Sequence, residues 1–425
     1  MDIHRSILKF ILLLKRNSNK VLIFGHQFPE PKSTAAGTRM LQLINLFKDF
    51  DFNIHFVCAQ PSTDFSIDLS QINVSEHILH LNDGSAKVLL KQLQPQIVIF
   101  DRFISEEQCG WVVDETCPEA LKILDTEDLH FLRENRENIL KNPSSGINED
   151  SLTDKAKREL AAIYRCDLNL MISKFEIEFL VNKFNLHQNQ LVYLPFILNV
   201  DNLNQNEHLN YSKRKHFVSI GNFKHAPNLD MVKYLRKEIW PHIRDVLPNS
   251  EWHIYGAYLP QQIKELHKAS KGVVVKGRSE EVISTLQQYK VMLAPLRFGA
   301  GLKGKCINSM QAGTPSVTTL IGAEGISSAT DWPGFVEEDA QMFCSSAVRL
   351  YKDQKLFERK QNQGYKILKS NFNKNDFQSI FKARIDETLE YLKDSRRKNV
   401  IGELLKHHHH RSTKYLSLWI QAKTK

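Results

Sequence analysis

The sequence lacks paired cysteines and long hydrophobic runs. Its 425 residues contain six scattered cysteines and no Cys-x-x-Cys pair, which favours free thiols in a reducing compartment over a cysteine-bound metal or a disulfide scaffold. The apolar run at residues 10–14 is far shorter than the roughly 20 residues that span a bilayer. No small-residue cleavage site follows it, as one would in a signal peptide. We therefore expect a cytoplasmic protein.

Acidic side chains are outnumbered by basic ones, 48 against 57, and the net charge is +9. This excess fits an anionic ligand, an anionic membrane surface or a nucleic acid. The sequence has no basic helix and no alternation of basic and aromatic residues, so we expect no nucleic-acid partner. The N-terminal apolar segment is flanked by Arg5, Lys9, Lys15 and Arg16. It predicts either peripheral contact with the inner face of the cell membrane or a helix packed on its own domain.

The sequence also has little that resembles a metal site. The DxD-like string at residues 49–51 falls between a helical pattern and a strand, and a turn explains it better. The four histidines at 407–410 cannot all face one ion from a helix, so a solvated polar tract explains them better. We therefore expect no bound metal.

Short apolar runs alternate with helix-length segments in two sets. The first set lies at residues 21–25, 54–59, 97–101, 121–125, 168–173 and 191–195, and the second at 216–221, 251–256, 272–277, 291–295, 315–319 and 334–339. Such runs are typical of buried parallel strands joined by crossover helices. We predict an α/β protein with two Rossmann-like, doubly wound parallel-sheet domains facing a cleft. A ligand would bind in this cleft, at the carboxyl ends of the strands.

The asparagine-rich segment 199–216 predicts a linker between the two domains. We expect an N-terminal domain over residues 1–200 and a C-terminal domain over residues 214–385.

The end of the chain is helical in pattern. Tyr415, Leu416, Trp419 and Ile420 form one apolar stripe. We expect residues 400–425 to cross back to the N-terminal domain and to bury this stripe there.

A glycine-rich basic stretch, residues 294–326, is neither a P-loop nor a GxGxxG motif. Gly299 and Gly301 permit a tight turn after a strand, and Lys303 and Lys305 lead into a helix. Backbone N–H groups at a helix start bind anions, and two lysines beside them suit a diphosphate better than a single carboxylate. The alternative is a structural turn whose lysines are solvated.

The order of this stretch, PLRFGAGLKGK, then a helix, AGTPSVTT and IGAEGI, resembles the donor-binding region of GT-B glycosyltransferases. It is most similar to family 4, the bacterial group 1 enzymes. Further segments resemble the same family in the same order, at residues 28–47, 100–111, 123–133, 159–173 and 218–235.

The resemblance implies an acceptor domain at the N terminus, with the C-terminal helix crossing back to it, and a nucleotide-sugar donor domain after the linker. It also implies a glycosyltransferase of bacterial glycan biosynthesis, which moves a sugar from a nucleotide-diphosphate sugar to a glycan, to a lipid or glycolipid, or to a protein. Family 4 enzymes generally retain anomeric configuration. The resemblance therefore implies retention, no metal and no cofactor besides the nucleotide-sugar co-substrate.

The resemblance also suggests roles for individual residues. Lys303 and Lys305 would neutralise the donor diphosphate. Independently of the resemblance, His130 follows the fourth apolar run, and a polar residue just past the carboxyl end of a parallel strand is placed to contact the acceptor or to handle its proton. The implied donor-binding residues are Gly221, Asn222, Lys224, Arg297, Gly299, Gly301, Asn308 and Glu324. The candidates for the acceptor side of the cleft are Gly37, Arg39, Asp101, Arg102, Asp125 and Arg133. Arg39 has a second interpretation, in which it caps or pairs with its own helix.

Two positions depart from the family pattern. Family 4 enzymes typically carry two glutamates seven residues apart, and these positions here are Gly301 and Asn308. Asn308 keeps a side chain that can hydrogen-bond ribose hydroxyls, whereas Gly301 offers only its backbone. The nearest remaining acid in this stretch is Glu324. Two functions therefore stay open: an active glycosyltransferase, or a catalytically weak or inactive relative that binds a sugar nucleotide or glycan.

Overall fold

The computed structural model describes residues 19–201, 203 and 210–424, which form two parallel sheets. The first sheet has seven strands in the order β3-β2-β1-β4-β5-β6-β7. Its strands are β1 (Lys20–Gly25), β2 (Asn53–Cys58), β3 (Ser75–Ile78), β4 (Ile97–Asp101), β5 (Leu121–Asp125), β6 (Leu168–Met171) and β7 (Leu191–Tyr193). Two apolar clusters cover the two faces of this sheet, so its central strands are apolar on both sides.

The second sheet has six strands in the order β10-β9-β8-β11-β12-β13. They are β8 (Lys215–Ile220), β9 (Trp252–Tyr255), β10 (Val273–Gly277), β11 (Tyr289–Ala294), β12 (Ser316–Thr318) and β13 (Gly334–Val336). The buried residues around this sheet form one large apolar cluster.

Helices connect successive strands, as parallel pairing requires. In the first half they are α1 (Ala35–Asp49), α2 (Ser85–Leu93), α3 (Arg102–Thr116), α4 (His130–Lys141), α5 (Asp154–Arg165) and α6 (Lys174–Phe184). The second sheet carries α7 (Ala226–Tyr234), α8 (Trp240–Val246), α9 (Gln261–Lys264), α10 (Val282–Leu286), α11 (Gly304–Gln311), α12 (Leu320–Ala323), α13 (Ala340–Lys352) and α14 (Gln354–Asn371). The chain ends in α15 (Lys374–Glu390), α16 (Leu392–Lys398), α17 (Val400–Leu405) and α18 (Arg411–Thr424).

The prediction of two doubly wound parallel sheets is confirmed, and each of the twelve apolar runs overlaps a strand. The strand that the sequence did not reveal is β3. It lies at the edge of the first sheet, and its sequence SEHI is largely exposed. A polar edge strand lacks the apolar run by which buried strands are recognised.

The chain returns to the first domain earlier than predicted. Residues 198 and 373 form a β-bridge, and Lys374 Nζ lies 2.6 Å from Asp49 Oδ2. Phe381 and Ile385, which we expected in the second domain, belong to an apolar cluster of the first sheet. The exact domain boundaries stay a prediction, but the crossing begins at α15.

The prediction for residues 1–16 lies outside the described residues, as do residues 202 and 204–209 of the linker. All six cysteines are buried and free, as expected. Among the helices of the described residues, none is both long and apolar enough to cross a bilayer.

Candidate active site

A cavity of about 530 Å³ lies between the two domains. Its walls come largely from segments that follow β1 and β5 in the first sheet and β8 and β11 in the second. Open α/β sheets bind ligands at these carboxyl ends of strands. The lining includes eleven of the predicted site residues: Lys303, Lys305, His130, Gly221, Asn222, Lys224, Gly299, Gly301, Asn308, Arg102 and Arg133.

The second-domain wall is built on two helix N-termini. Helix α7 begins shortly after the turn that follows β8, and α11 begins after the glycine-rich turn that follows β11. Asn228 joins the two helices, because its Oδ1 accepts a hydrogen bond from Lys305 Nζ at 2.5 Å and its Nδ2 donates to the carbonyl of Asn222 at 2.7 Å. Helix N-termini have unpaired N–H groups and the positive end of the dipole. This wall therefore suits an anion.

The two lysines of the turn have different surroundings. Lys305 is half-buried in the wall, and burial lowers its pKa to about 8, so its positive charge is present below that pH. Lys303 is more deeply buried, which also lowers its pKa. Its Nζ donates to the carbonyl of Gly301 at 2.7 Å and lies 3.7 Å from Glu324 Oε1. Lys303 therefore fixes the turn, whereas Lys305 supplies charge to the cavity.

His130 forms part of the first-domain wall at the start of α4. Its Nε2 lies 3.2 Å from Asp128 Oδ1, and Arg133 pairs with the other oxygen of the same carboxylate. Burial lowers the pKa of His130, so the imidazole is neutral near pH 7. Burial alone would raise the pKa of Asp128, but Arg133 and His130 lower it overall. The wall thus holds an ionised carboxylate between a guanidinium and a neutral imidazole.

Glu127 is a cavity residue that the sequence analysis missed. Its backbone has φ +63°, the left-handed region, and so does Arg102 with φ +69°. Within the described part of the chain, the buried Glu127 Oε1 has no hydrogen-bond partner. Burial, and then the charge of Asp125, raise the pKa of Glu127 to about 8. Strained backbone and an unsatisfied polar atom in a cavity are typical of a ligand-binding position.

The geometry of Gly301 explains why no glutamate stands there. Its φ is +62°, and a Cβ at this position would lie 2.8 Å from Asp128 Cβ and 3.3 Å from the carbonyl oxygen of Glu127. Its N–H donates to Glu176 Oε1 of the first domain at 2.8 Å. The turn therefore packs directly on the first domain, whose own acids occupy this region.

Restoring the family's residue tests this packing, with Gly146→Glu as a matched control. Gly146 also has positive φ, +72°, but a Cβ there would contact nothing. We expect Gly146→Glu to lose about 1 kcal/mol of unfolding free energy through backbone strain. Gly301→Glu should lose about 1–3 kcal/mol more through overpacking. Denaturant unfolding measures both losses. Equal losses in the two variants would mean that the interdomain contact does not constrain position 301.

Four residues predicted on the acceptor side do not line the cavity. Arg39 and Asp125 form a buried ion pair, with Nη2 and Oδ1 2.8 Å apart and side chains 3% and 0% exposed. Asp101 is buried and accepts a hydrogen bond from the backbone N–H of His26 at 2.9 Å. Gly37 lets α1 approach the loop before it, whose backbone a Cβ would meet at 2.5 Å. These four positions support the cavity wall from behind.

Two predicted donor-binding residues are also absent from the lining. Arg297 forms an ion pair with Asp230 on the side of the second domain. Glu324 receives a two-pronged contact from Arg136 of the first domain, at 2.9 and 2.7 Å. Arg136 also donates to the carbonyl of Gly299 at 2.8 Å. Glu324 therefore joins the two domains behind the glycine-rich turn.

Three further residues were missed by sequence reasoning. His26 and His225 line the cavity, and burial, followed by the charge of Arg133, lowers the pKa of His225 to about 4. Glu176 joins the domains, since its Oε1 accepts from the N–H groups of Leu129 and Gly301. Isolated histidines and acids carry no sequence signal that separates them from surface residues, apart from their position near strand ends. Within the described ranges, no cluster of three or more His, Cys, Asp or Glu could hold a metal ion.

The family of the second domain follows from comparison with protein-family models. Residues 214–353 match the family described as glycosyl transferases group 1. This segment is therefore similar to the glycosyl transferases of group 1, and we call it the group 1 domain. The match begins at β8 and continues past β13, so it covers the whole second sheet and the glycine-rich turn. The group 1 domain thus supplies the wall with Lys305 and the two helix N-termini. The chain matches no curated protein sequence.

Solved structures extend the likeness to the fold of the whole chain. HepE of Anabaena, in complex with UDP and glucose, superimposes with a TM-score of 0.65 at 13% identity over 87% of this chain and 99% of HepE. A sucrose-phosphate synthase from Thermosynechococcus elongatus gives 0.64 at 13% identity over 87% and 99%. TarM of S. aureus, in complex with fondaparinux, alpha-GlcNAc-glycerol and UDP, gives 0.55 at 12% identity, and the chain spans 58% of its length. The group 1 domain therefore belongs to a two-domain GT-B fold, as predicted.

Proposed function

We propose that the chain is an active glycosyltransferase that transfers a sugar from a nucleoside-diphosphate sugar, with retention and without a metal. The observation that carries the proposal is the convergence of Lys305 with the N-termini of α7 and α11 on one wall of the interdomain cavity. Breaking a sugar–phosphate bond builds negative charge on the leaving diphosphate. A preorganised group of N–H donors and a cation stabilises that charge as it develops.

The donor would lie with its diphosphate against Lys305 and its ribose near Asn308, which lines the same wall one turn further along α11. Uridine diphosphate sugars are the first donors to test, because the HepE and TarM structures contain UDP. Lys224, on the turn after β8, lies 3.6 Å above the ring of Tyr258 and adds charge at the mouth.

The sugar would face the first domain, where Glu127 takes the position of the missing family glutamate. Gly301 packs on the loop that carries Glu127, and the free Oε1 of this glutamate lies in the cavity wall. Its raised pKa keeps the carboxyl protonated near pH 7, so that it can donate a hydrogen bond to a sugar hydroxyl. Because this acid comes from the first domain, the donor site would be complete only when the two domains are in contact.

The acceptor would enter beside His130, Arg102 and Arg133, on the first-domain wall. With retention, the leaving phosphate itself can accept the proton of the acceptor hydroxyl while Lys305 holds the phosphate. The neutral imidazole of His130, fixed by Asp128 at 3.2 Å, then orients a hydroxyl instead of acting as a cation. We propose a glycan, glycolipid or protein acceptor in a bacterial cytoplasm.

A panel of uridine, guanosine, adenosine and thymidine diphosphate sugars tests the proposal. The panel reads donor binding by thermal shift and nucleotide release by mass detection. Ligands that bind only the native state raise its melting temperature. We expect one nucleotide class to stabilise the protein and to be hydrolysed slowly without acceptor. The alternative, an inactive binding relative, is motivated by Gly301 and Asn308. Donor binding without turnover for every donor and candidate acceptor would support that alternative.

Glu127 permits a prediction that depends on its protonation. If the neutral carboxyl donates to the sugar, Glu127→Gln keeps a donor and stays within a few-fold of wild-type kcat/KM at pH 7. Glu127→Ala loses about tenfold, the effect of one hydrogen bond. Above about pH 8 the wild type gains a negative charge here, so its kcat/KM should fall more steeply than that of Glu127→Gln. If Glu127→Gln were as impaired as Glu127→Ala at pH 7, the ionised form would be the active one.

A further inference from the structure

The last helix of the chain points its apolar stripe into solvent. Tyr415, Leu416, Leu418 and Trp419 of α18 are 66%, 57%, 41% and 55% exposed. The prediction that this stripe is buried against the first domain is therefore wrong for Tyr415, Leu416 and Trp419, although the helix does lie on that domain.

Helix α18 packs on the first domain through its other side. Lys414 Nζ lies 2.9 Å from Glu115 Oε2 at the end of α3. Gln421 Nε2 donates to the carbonyl of Asp83, in the loop before α2, at 3.1 Å. Ile420 is half-buried on the same side. Because polar contacts fix the helix in this orientation, exposure of the apolar stripe follows directly from how α18 is docked.

Helix α17 shows the same arrangement one segment earlier. Val400, Ile401 and Leu404 are 60%, 52% and 56% exposed. Gly402 between them is buried, and a Cβ there would lie 2.3 Å from the carbonyl oxygen of Tyr164 in α5. A continuous helical segment from Val400 to Thr424 therefore crosses α5 and α3 with apolar side chains outward. We call the seven exposed side chains the C-terminal apolar face: Val400, Ile401, Leu404, Tyr415, Leu416, Leu418 and Trp419.

The charge along this face is mainly positive. From Val400 to Thr424 the segment holds four cations, Lys406, Arg411, Lys414 and Lys423, and one acid, Glu403, which pairs with Lys406. Arg411 and Lys423 are exposed, and Lys423 Nζ lies 3.8 Å above the ring of Trp419. Aromatic and aliphatic side chains flanked by cations are the composition of helices that lie in an anionic lipid interface.

We propose that the C-terminal apolar face is a docking surface for an anionic lipid bilayer. The helix would lie parallel to the membrane plane, with Trp419 and Leu416 among the acyl chains and Arg411 and Lys423 at the phosphate groups. A protein partner would need a matching acidic groove, whereas a bilayer supplies both the apolar layer and the negative charge that Arg411 and Lys423 require. The proposal does not depend on the donor, the acceptor or the activity of the cavity.

Sedimentation with vesicles of phosphatidylcholine and phosphatidylglycerol tests the proposal on the full chain. We expect binding to the mixed vesicles, weaker binding in high salt, and little binding to phosphatidylcholine alone. The double substitution Leu416→Ser with Trp419→Ser should lower the partition coefficient about tenfold or more. Both side chains are more than half exposed, so the melting temperature and any donor hydrolysis should stay at the wild-type level.

Met342→Ser is the matched control, because Met342 is 55% exposed on α13 of the second domain. It should bind vesicles as the wild type does. Equal binding by the wild type and the Leu416/Trp419 variant would overturn the proposal. So would loss of binding only on deletion of residues 1–16, which would place the contact at the N terminus. A wild-type dimer that this variant dissociates, without vesicle binding, would show that a second copy covers the face instead.

Discussion

Lys305→Ala should lower kcat by about 100–1000-fold, the effect of removing one preorganised group that stabilises transition-state charge. Lys305 lies on the same cavity wall as the N-termini of α7 and α11. Its Nζ donates a hydrogen bond to Asn228 Oδ1 at 2.5 Å. Steady-state kinetics with the donor identified by the panel measures the loss. Asn228→Ala should show a smaller loss in the same direction, because it leaves the charge but releases its position.

The pH dependence of activity distinguishes the contribution of the Lys305 charge from the contribution of its side-chain packing. Its pKa is lowered to about 8 by burial, so the cation is present below that pH and is lost as the pH rises through it. The value of kcat/KM, which reports the free enzyme, should therefore decline above about pH 8. Lys305→Arg keeps its charge, so this contribution to the decline should disappear while some activity remains.

Two outcomes would contradict this role for Lys305. One is a Lys305→Ala variant with unchanged kcat and a normal melting temperature. The other is a Lys305→Arg variant with the full alkaline decline of the wild type. Lys303→Ala provides the contrast, because Lys303 contacts the Gly301 carbonyl and lies near Glu324. We expect that substitution to lower stability more than it lowers kcat.

The fold was predictable because parallel strands covered on both faces leave an unmistakable apolar pattern. Strands such as IVIFD at Ile97–Asp101 are buried at every position. The edge strand Ser75–Ile78 has no such pattern, and only its pairing with β2 defines it. The prediction that the apolar stripe of α18 is buried was wrong for the opposite reason. Its apolar stripe was visible in the sequence, but the polar contacts of Lys414 and Gln421 decided which side docks.

The candidate site was predictable where glycine and lysine spacing fixes a backbone turn, as at Lys303 and Lys305. It was not predictable where one charged residue meets another far away in the sequence. Glu324 pairs with Arg136, 188 residues earlier, and Arg297 pairs with Asp230. In both cases the charged group that was expected to contact the ligand pairs with another residue of the protein, and only the folded structure brings the two residues together.

The glycine at position 301, where the family pattern has a glutamate, is explained by the packing of the two domains. The second domain alone shows a missing glutamate. With the first domain packed against the turn, a side chain at 301 has no room, and Glu127 stands in the same cavity with an unsatisfied carboxyl oxygen. Under the proposed function, Glu127 supplies an acid from the opposite wall, and the activity of the Glu127 variants tests this role.

Arg39→Ala should destabilise the protein by about 3–5 kcal/mol, because it leaves the carboxylate of Asp125 buried without its partner. The Arg39 guanidinium also donates to the carbonyl of Leu194 at 2.6 Å, so the pair joins α1, the end of β5 and the segment after β7. Denaturant unfolding at neutral pH measures the loss. Arg133→Ala is the contrast within the site: its side chain is 26% exposed beside the cavity, and we expect it to affect catalysis more than stability.

The pH dependence and a double variant make the test of Arg39 specific. Burial raises the pKa of Asp125 above its usual 3.8 even with Arg39 present. Without Arg39 the folded state would bind a proton here more tightly than the unfolded chain does. The stability deficit should therefore be small near pH 4 and should grow as the pH rises. Arg39→Met with Asp125→Asn removes both charges and should recover much of the loss. If Arg39→Ala instead kept full stability and lost donor or acceptor binding, Arg39 would be a ligand-contacting residue after all, as one of its two sequence interpretations held.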